Sequence, residues 1–234
     1  MTETQTKLDR LRTKFKELMG ESGWDKVFNN FADSMRFDIL MENLKKEYNG
    51  EGVTPKTDQM FRAFKECPYN DLKVIMIGQD PYPTPGVADG IAFSCSNTGK
   101  VQPSLKVMFK ELEKVYPDGY TWDPDLKRWS NQGVLMLNTA LTTTPGKIGK
   151  HYNIWKPFTQ HLLTQLVMEK TGLIYVFMGS AAKEWSKIIP EENYQMFCYH
   201  PASASYNGGE WESNDIFIRI NQILQNNHGE SINW

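Results

Sequence analysis

The sequence predicts an α/β fold with a central four-stranded parallel sheet flanked by helices. Four short apolar runs, Val74–Ile77, Val134–Leu137, Leu173–Met178 and Tyr194–Tyr199, each stop abruptly at a small polar motif. Stretches with apolar residues at helical spacing lie between them, and buried strands that alternate with helices build a parallel sheet. In such sheets the ligand crevice lies beyond the carboxyl ends of the strands. The motifs at those ends are Gly78-Gln79-Asp80-Pro81-Tyr82-Pro83, Asn138-Thr139, Gly179-Ser180 and His200-Pro201. A carboxylate, a side-chain amide, a Gly-Ser turn and an imidazole are therefore predicted to meet at one edge of the sheet.

Taken in order, residues 1–23 are polar and predict a flexible or loosely helical segment ahead of one domain over 24–234. Phe28, Phe31 and Met35, then Ile39, Leu40 and Leu44, recur at helical spacing and predict two or three helices before the first strand. Pro103 sets up a turn and Ser104 is expected to cap the helix after it, whose apolar face is Leu105, Met108, Phe109 and Leu112. Phe158, Leu162, Leu163 and Leu166 predict a helix before the third strand; Ala182, Trp185, Ile188 and Ile189 predict one after it. Ile216, Ile220, Ile223 and Leu224 supply the last.

At 234 residues the chain can bury a substantial core, and no linker or repeat divides it. Hydrophobic residues at 40% and charged residues at 23% are ordinary for a soluble globular protein. A formal net charge of −2 argues against a protein that coats nucleic acid non-specifically. It is compatible with a small site that meets phosphates through hydroxyls, backbone N–H groups and a few lysines. Cys67, Cys95 and Cys198 are widely spaced and odd in number, which suits unpaired thiols in a reducing compartment and lacks metal-ligand spacing. The reading is therefore of no metal, no membrane span, no signal peptide and, by default, a cytoplasmic location, host cytoplasm for a viral or phage source.

Taken singly, an Asp-Pro after a strand is most often a turn, and a histidine at a strand end a satisfied structural group. The ordered set says more. The stretch Gly78–Ser94, GQDPYPTPGVADGIAFS, resembles the water-activating loop and uracil pocket of family 1 uracil-DNA glycosylases. The resemblance continues through Pro103-Ser104-Leu105, GVLMLNTALT at Gly133–Thr142, Gly179-Ser180 and His200-Pro201, and covers roughly residues 24–225. It implies a monomeric, cofactor-free, monofunctional enzyme of base-excision repair that flips uracil out of single- or double-stranded DNA and hydrolyses its N-glycosidic bond. Its partners would be uracil-containing DNA and an inhibitor protein that mimics DNA.

The resemblance assigns roles one by one. Asp80 would stabilise the sugar cation and orient the attacking water, and His200 would donate to uracil O2 as charge gathers there. Asn138 would pair with uracil N3–H and O4, a pattern cytosine inverts. Phe93 would stack on the flipped base, Tyr82 would exclude the methyl group of thymine, and Gln79 would line the pocket. Ser104 at a helix N-terminus beside Pro103, and the Gly179-Ser180 turn, would hold phosphates, with Lys106, Lys183 and Lys187 nearby. His151, in the loop before Trp155, would be a minor DNA contact.

Two departures stand out. The family generally has histidine after Asp-Pro-Tyr, where this chain has Pro83. The family loop His-Pro-Ser-Pro-Leu-Ser inserts its leucine into the DNA stack; here the loop reads His200-Pro201-Ala202-Ser203-Ala204-Ser205-Tyr206, with Ala204 in the leucine position. Either Tyr206 substitutes as the wedge, or no wedge exists and single-stranded DNA is preferred. Two other readings compete. One is a DNA-binding replication accessory on this fold, supported by the altered loop alone. The other is a generic nucleotide-binding enzyme, disfavoured because no glycine-rich phosphate loop follows the first strand.

Overall fold

A computed structural model describes residues 3–234. The sheet consists of β1 (Val74–Gly78), β2 (Val134–Asn138), β3 (Ile174–Met178) and β4 (Tyr194–Cys198), in the order β2-β1-β3-β4, and every pairing is parallel. β1 and β3 are buried at every position, which is why their sequences are unbroken apolar runs rather than alternating ones. β4 is the half-exposed edge. The chain leaves β1 toward β2 and later crosses to β3 on the other side, so the topological switch point falls between β1 and β3. The turns that carry Asp80 and Gly179 leave the sheet on either side of that point.

Helices α1 (Glu3–Gly20), α2 (Asp25–Ala32), α3 (Met35–Asn49) and α4 (Arg62–Glu66) precede the sheet. Next come α5 (Pro103–Val115), α6 (Lys127–Ser130), α7 (Tyr152–Glu169), α8 (Ser180–Lys183) and α9 (Ile216–His228). The predicted helix after the third strand is a single α turn, α8, continued by a 3-10 helix over Glu184–Ile188, with Ala182 and Trp185 buried. No helix among the described residues is long and apolar enough to cross a membrane.

The N-terminal expectation needs correction. Residues 3–20 are a packed helix rather than a flexible segment, with Phe15 and Met19 both buried in the main core. Phe15 meets the rings of Phe28, Phe37 and Phe61, with centroids 5.2–5.8 Å apart. Arg12 adds a bond from Nε to the Ala32 carbonyl (2.7 Å) and an ion pair to Asp38 (2.6 Å). The apolar stripe is short, so a mostly polar helix is held by the aromatic surface it covers rather than by its own propensity.

Ser104 is corrected too. Gln102 is the N-cap residue, Pro103 opens α5, and Ser104 sits inside the first turn without a capping bond. Proline suits the first helical position because its missing N–H would be unbonded there anyway.

Candidate active site

The ends of β1, β2 and β4 bring their side chains to one cleft of about 330 Å³, lined by Gln79, Asp80, Tyr82, Phe93, Ser104, Asn138 and His200, with Pro83, Ile148 and Ala202 also on its walls. Parallel pairing sets this directly. Gly78, the last residue of β1, is in register with Asn138, the last of β2. A Cβ on Gly78 would lie 2.8 Å from Asn138 Oδ1 and 3.2 Å from the Phe93 ring, so only a glycine lets the amide and the ring converge there. The Gln79 carbonyl accepts from the Ala140 N–H (3.0 Å) and from Thr139 Oγ1 (2.8 Å), which clamps the loop carrying Asp80 to the end of β2.

Asp80 is partly buried, and the Gly149 N–H donates to its Oδ2 at 2.5 Å. Burial pushes its carboxyl above the ordinary aspartate value, and the Gly149 bond opposes that shift without cancelling it. Gly149 belongs to a strap after β2 that also donates from the Gly146 N–H to the Pro83 carbonyl (2.8 Å). The strap is joined to the chain before α4 by a bridge between Thr54 and Thr143 and by Lys147 with Glu51 (2.6 Å). Pro83 thus contributes a carbonyl that anchors the strap.

Phe93 is buried with φ at 65°, a left-handed conformation unusual for a bulky side chain. Its surroundings hold it there. Its carbonyl accepts from the Tyr82 hydroxyl (2.9 Å), and the Ala92 N–H donates to the Met136 carbonyl of β2 (3.1 Å). Fully buried Asp89 accepts from the Ile91 N–H, from the Ser94 hydroxyl and from both the N–H and hydroxyl of Ser96. Arg62 pairs with Asp89 (3.0 Å) and reaches on to Asp125 (2.7 Å). The loop's strain is therefore met by a satisfied ionic cluster behind the ring.

His200 follows β4 with its ring 5.5 Å from that of Phe93. Its Nδ1 accepts from the Ala202 N–H at 3.2 Å, so in the neutral ring the proton sits on Nε2. Burial lowers the imidazole pKa below its ordinary value and keeps that neutral donor form. Gly179, at φ 92°, packs so tightly behind it that a Cβ would lie 3.0 Å from His200 Cβ.

Not every predicted contact reaches this cleft. Gly179 and Ser180 line an adjoining groove, and Pro103 is exposed at the start of α5. Pro201 is buried, and so is Ala204 at 1% exposure. Ala204 cannot touch DNA: it lies inside the 3-10 helix Pro201–Tyr206, and its carbonyl accepts from the Asn207 and Gly209 N–H groups. Tyr206, by contrast, is 93% exposed. His151 is also corrected, because it is fully buried, with Nδ1 on Thr142 (2.9 Å) and Nε2 on Thr144 (3.0 Å). It fixes the root of the strap instead of meeting solvent. Gly149 was invisible beforehand because it acts through a backbone N–H. Asp89 had one signal, an acid inside the otherwise apolar run Val87-Ala88-Asp89-Gly90-Ile91.

The uracil DNA glycosylase superfamily matches residues 64–225. A uracil-DNA glycosylase of Flavobacterium johnsoniae is 32% identical over 215 residues, covering 91% of this chain and 97% of that one. The crystal structure of mimivirus uracil-DNA glycosylase superimposes with a TM-score of 0.83 at 25% identity, covering 90% of this chain and 85% of that one. A substituted form of the mimivirus protein, in complex with UGI, superimposes with a TM-score of 0.80 at 25% identity over 89% and 86% of the two chains. With the matched residues running from α4 into α9 and enclosing the whole cleft, this chain belongs to the uracil-DNA glycosylase superfamily.

Proposed function

We infer that the chain releases uracil from DNA by hydrolysing the N-glycosidic bond, and that the cleft between Asp80, Phe93, Asn138 and His200 performs the step. The observation that carries this reading is the convergence of a carboxylate, an aromatic face, an amide and a neutral imidazole donor on a pocket open to solvent. A uracil whose ring lies on Phe93 presents its N3–H and O4 edge to the Asn138 amide and its O2 to His200 Nε2–H. As the C1′–N1 bond lengthens, positive charge grows on the sugar and negative charge on the base. Asp80 answers the first and His200 the second, each already oriented by a backbone N–H. Water attacks C1′, and among the described residues no lysine lines the cleft to act as an amine nucleophile in its place. Cytosine would face Asn138 with mismatched donors and leave buried polar atoms unpaired. Tyr82, held by its bond to the Phe93 carbonyl, occupies the space beside C5 where a thymine methyl would go.

Ser104 at the cleft and Ser180 beside it are assigned to phosphates on the two sides of the flipped nucleotide. The wedge falls to Tyr206, because Ala204 is buried. Tyr206→Ala is expected to slow release from U·G duplex about tenfold more than release from single strands. Equal losses, or none, would remove Tyr206 from this role. The structure in complex with UGI makes an inhibitor protein that mimics DNA a candidate partner. A monomer acting in the cytoplasm completes the reading.

The direct test is uracil release from matched single-stranded and U·G duplex oligonucleotides, scored by alkaline cleavage at the abasic site. No release from either would overturn the assignment. The pH profile gives a second check. His200 must be neutral and Asp80 ionised; burial lowers the first pKa and raises the second. On the acid side, kcat/KM is therefore expected to fall between the ordinary aspartate and histidine values, about 3.9 and about 6.5. A plateau through that window would contradict the assigned protonation states.

A further inference from the structure

We propose that the groove beside the Gly179-Ser180 turn is a nucleobase subsite, in which the ring of Tyr199 stacks on the base of a nucleotide neighbouring the uracil on the same strand. The proposal rests on the DNA reading above. The groove has a volume of about 340 Å³, and Tyr199, Ser180 and Lys183 are on its walls. Its floor includes the half-buried ring of Phe197 of β4, which is backed by the fully buried Phe177 of β3 with ring centroids 5.4 Å apart and planes at 20°.

Tyr199 is 58% exposed, a large apolar surface left open next to the cleft. Its backbone is pinned from both sides. The Tyr199 N–H donates to the Glu212 carbonyl (3.2 Å), and its own carbonyl accepts from Trp211 Nε1 (2.7 Å). An exposed ring on a fixed backbone is a stacking platform that loses little freedom when a base lands on it. The Lys183 ammonium sits 5.2 Å from the Phe197 centroid and is exposed, so a cation borders the same apolar floor. Aromatic faces interleaved with a cation and a hydroxyl are what one unpaired nucleotide requires.

The occupant follows from continuity. Tyr199 and His200 are consecutive just past the end of β4, and Tyr199 lines the groove while His200 lines the cleft. Gly179 forms the partition, packed against His200 on one side and lining the groove on the other. A strand with uracil in the cleft therefore places an adjacent nucleotide at Tyr199. Tyr206 does not line this groove, so the subsite is separate from the proposed wedge.

The test is a series of single-stranded uracil oligonucleotides extended one nucleotide at a time on either side of the uracil. For the wild type, KM is expected to drop at the extension that first reaches the groove. Tyr199→Ala is expected to abolish that drop, raising KM about tenfold more on the extended strand than on the shortest, while Tyr199→Phe retains it. Lys183→Gln is expected to reduce the log–log salt slope of binding by about 1 on the extended strand alone. Tyr199→Ala losses that are equal at every length would overturn the subsite. So would unchanged kinetics, which would leave the groove to a protein partner. Should Tyr199→Ala fail to fold, 2-aminopurine placed at the neighbouring position decides instead: quenching on wild-type binding supports the stack, and unchanged emission overturns it. Wild-type release from the shortest substrate tests the glycosylase assignment separately.

Discussion

Asp80→Asn is expected to slow uracil release by about 10³-fold, equivalent to about 4 kcal/mol of transition-state stabilisation. The substitution is nearly isosteric, and the asparagine Oδ1 can still accept from the Gly149 N–H, so the loop and its strap remain in place. What disappears is the negative charge that faces the sugar as it becomes cationic. That charge is strongest in its effect because Asp80 is partly buried, where opposing charges are less screened than in water. Binding of uracil-containing DNA should persist or tighten, since a carboxylate near the phosphate backbone has been removed. Single-turnover release with Kd measured alongside separates the two effects. A variant within tenfold of wild type would show that the carboxylate does not carry the chemistry.

Gly78→Ala is expected to lower kcat/KM by about 10²-fold through one methyl group. The glycine is not there for its backbone angles, because its φ is unexceptional. It is there because the new Cβ would lie 2.8 Å from Asn138 Oδ1 and 3.2 Å from Phe93, and both must move. Those are the amide and the ring assigned to the base, so the cost falls on recognition. Overpacking of this kind also destabilises a fold by about 1–3 kcal/mol, which a urea titration would register. Gly20→Ala is the matched control, since its Cβ meets nothing within 4 Å. Gly78→Ala with kinetics within threefold of wild type would show that Asn138 and Phe93 need not converge.

Part of the site is legible in the sequence alone. Asp80 announced itself as a carboxylate after an apolar run, and Asn138 and His200 did the same at two other strand ends. Sheets buried on both faces write their strands as unbroken apolar segments, so the ends are easy to find. Parallel pairing then brings those ends to one edge, as the register of Gly78 with Asn138 demonstrates. Gly78 itself looked like an ordinary turn glycine. Its reason is a contact across to β2, which no local pattern records.

The same distinction explains the corrections. Ala204 aligned with a wedge leucine by position in a loop, yet the 3-10 helix Pro201–Tyr206 turns it inward and leaves Tyr206 outside. His151 had a loop address suggestive of solvent, but two threonines enclose both of its ring nitrogens. Helix α1 read as a tail because its burial rests on Phe15 and Met19 meeting an aromatic surface assembled from α2, α3 and the chain before α4.

Composition and periodicity were therefore sufficient for the α/β class, the four strands and the identity of the groups at their ends, because burial and hydrogen-bonding needs act on each short segment locally. The protonated nitrogen of His200, the Gly149 hold on Asp80, the Arg62–Asp89 cluster behind Phe93 and the exposure of Tyr199 came from packing between distant segments. Each depends on which backbone N–H or charged group lies within about 3 Å of a side chain, and that distance is set by the whole core at once.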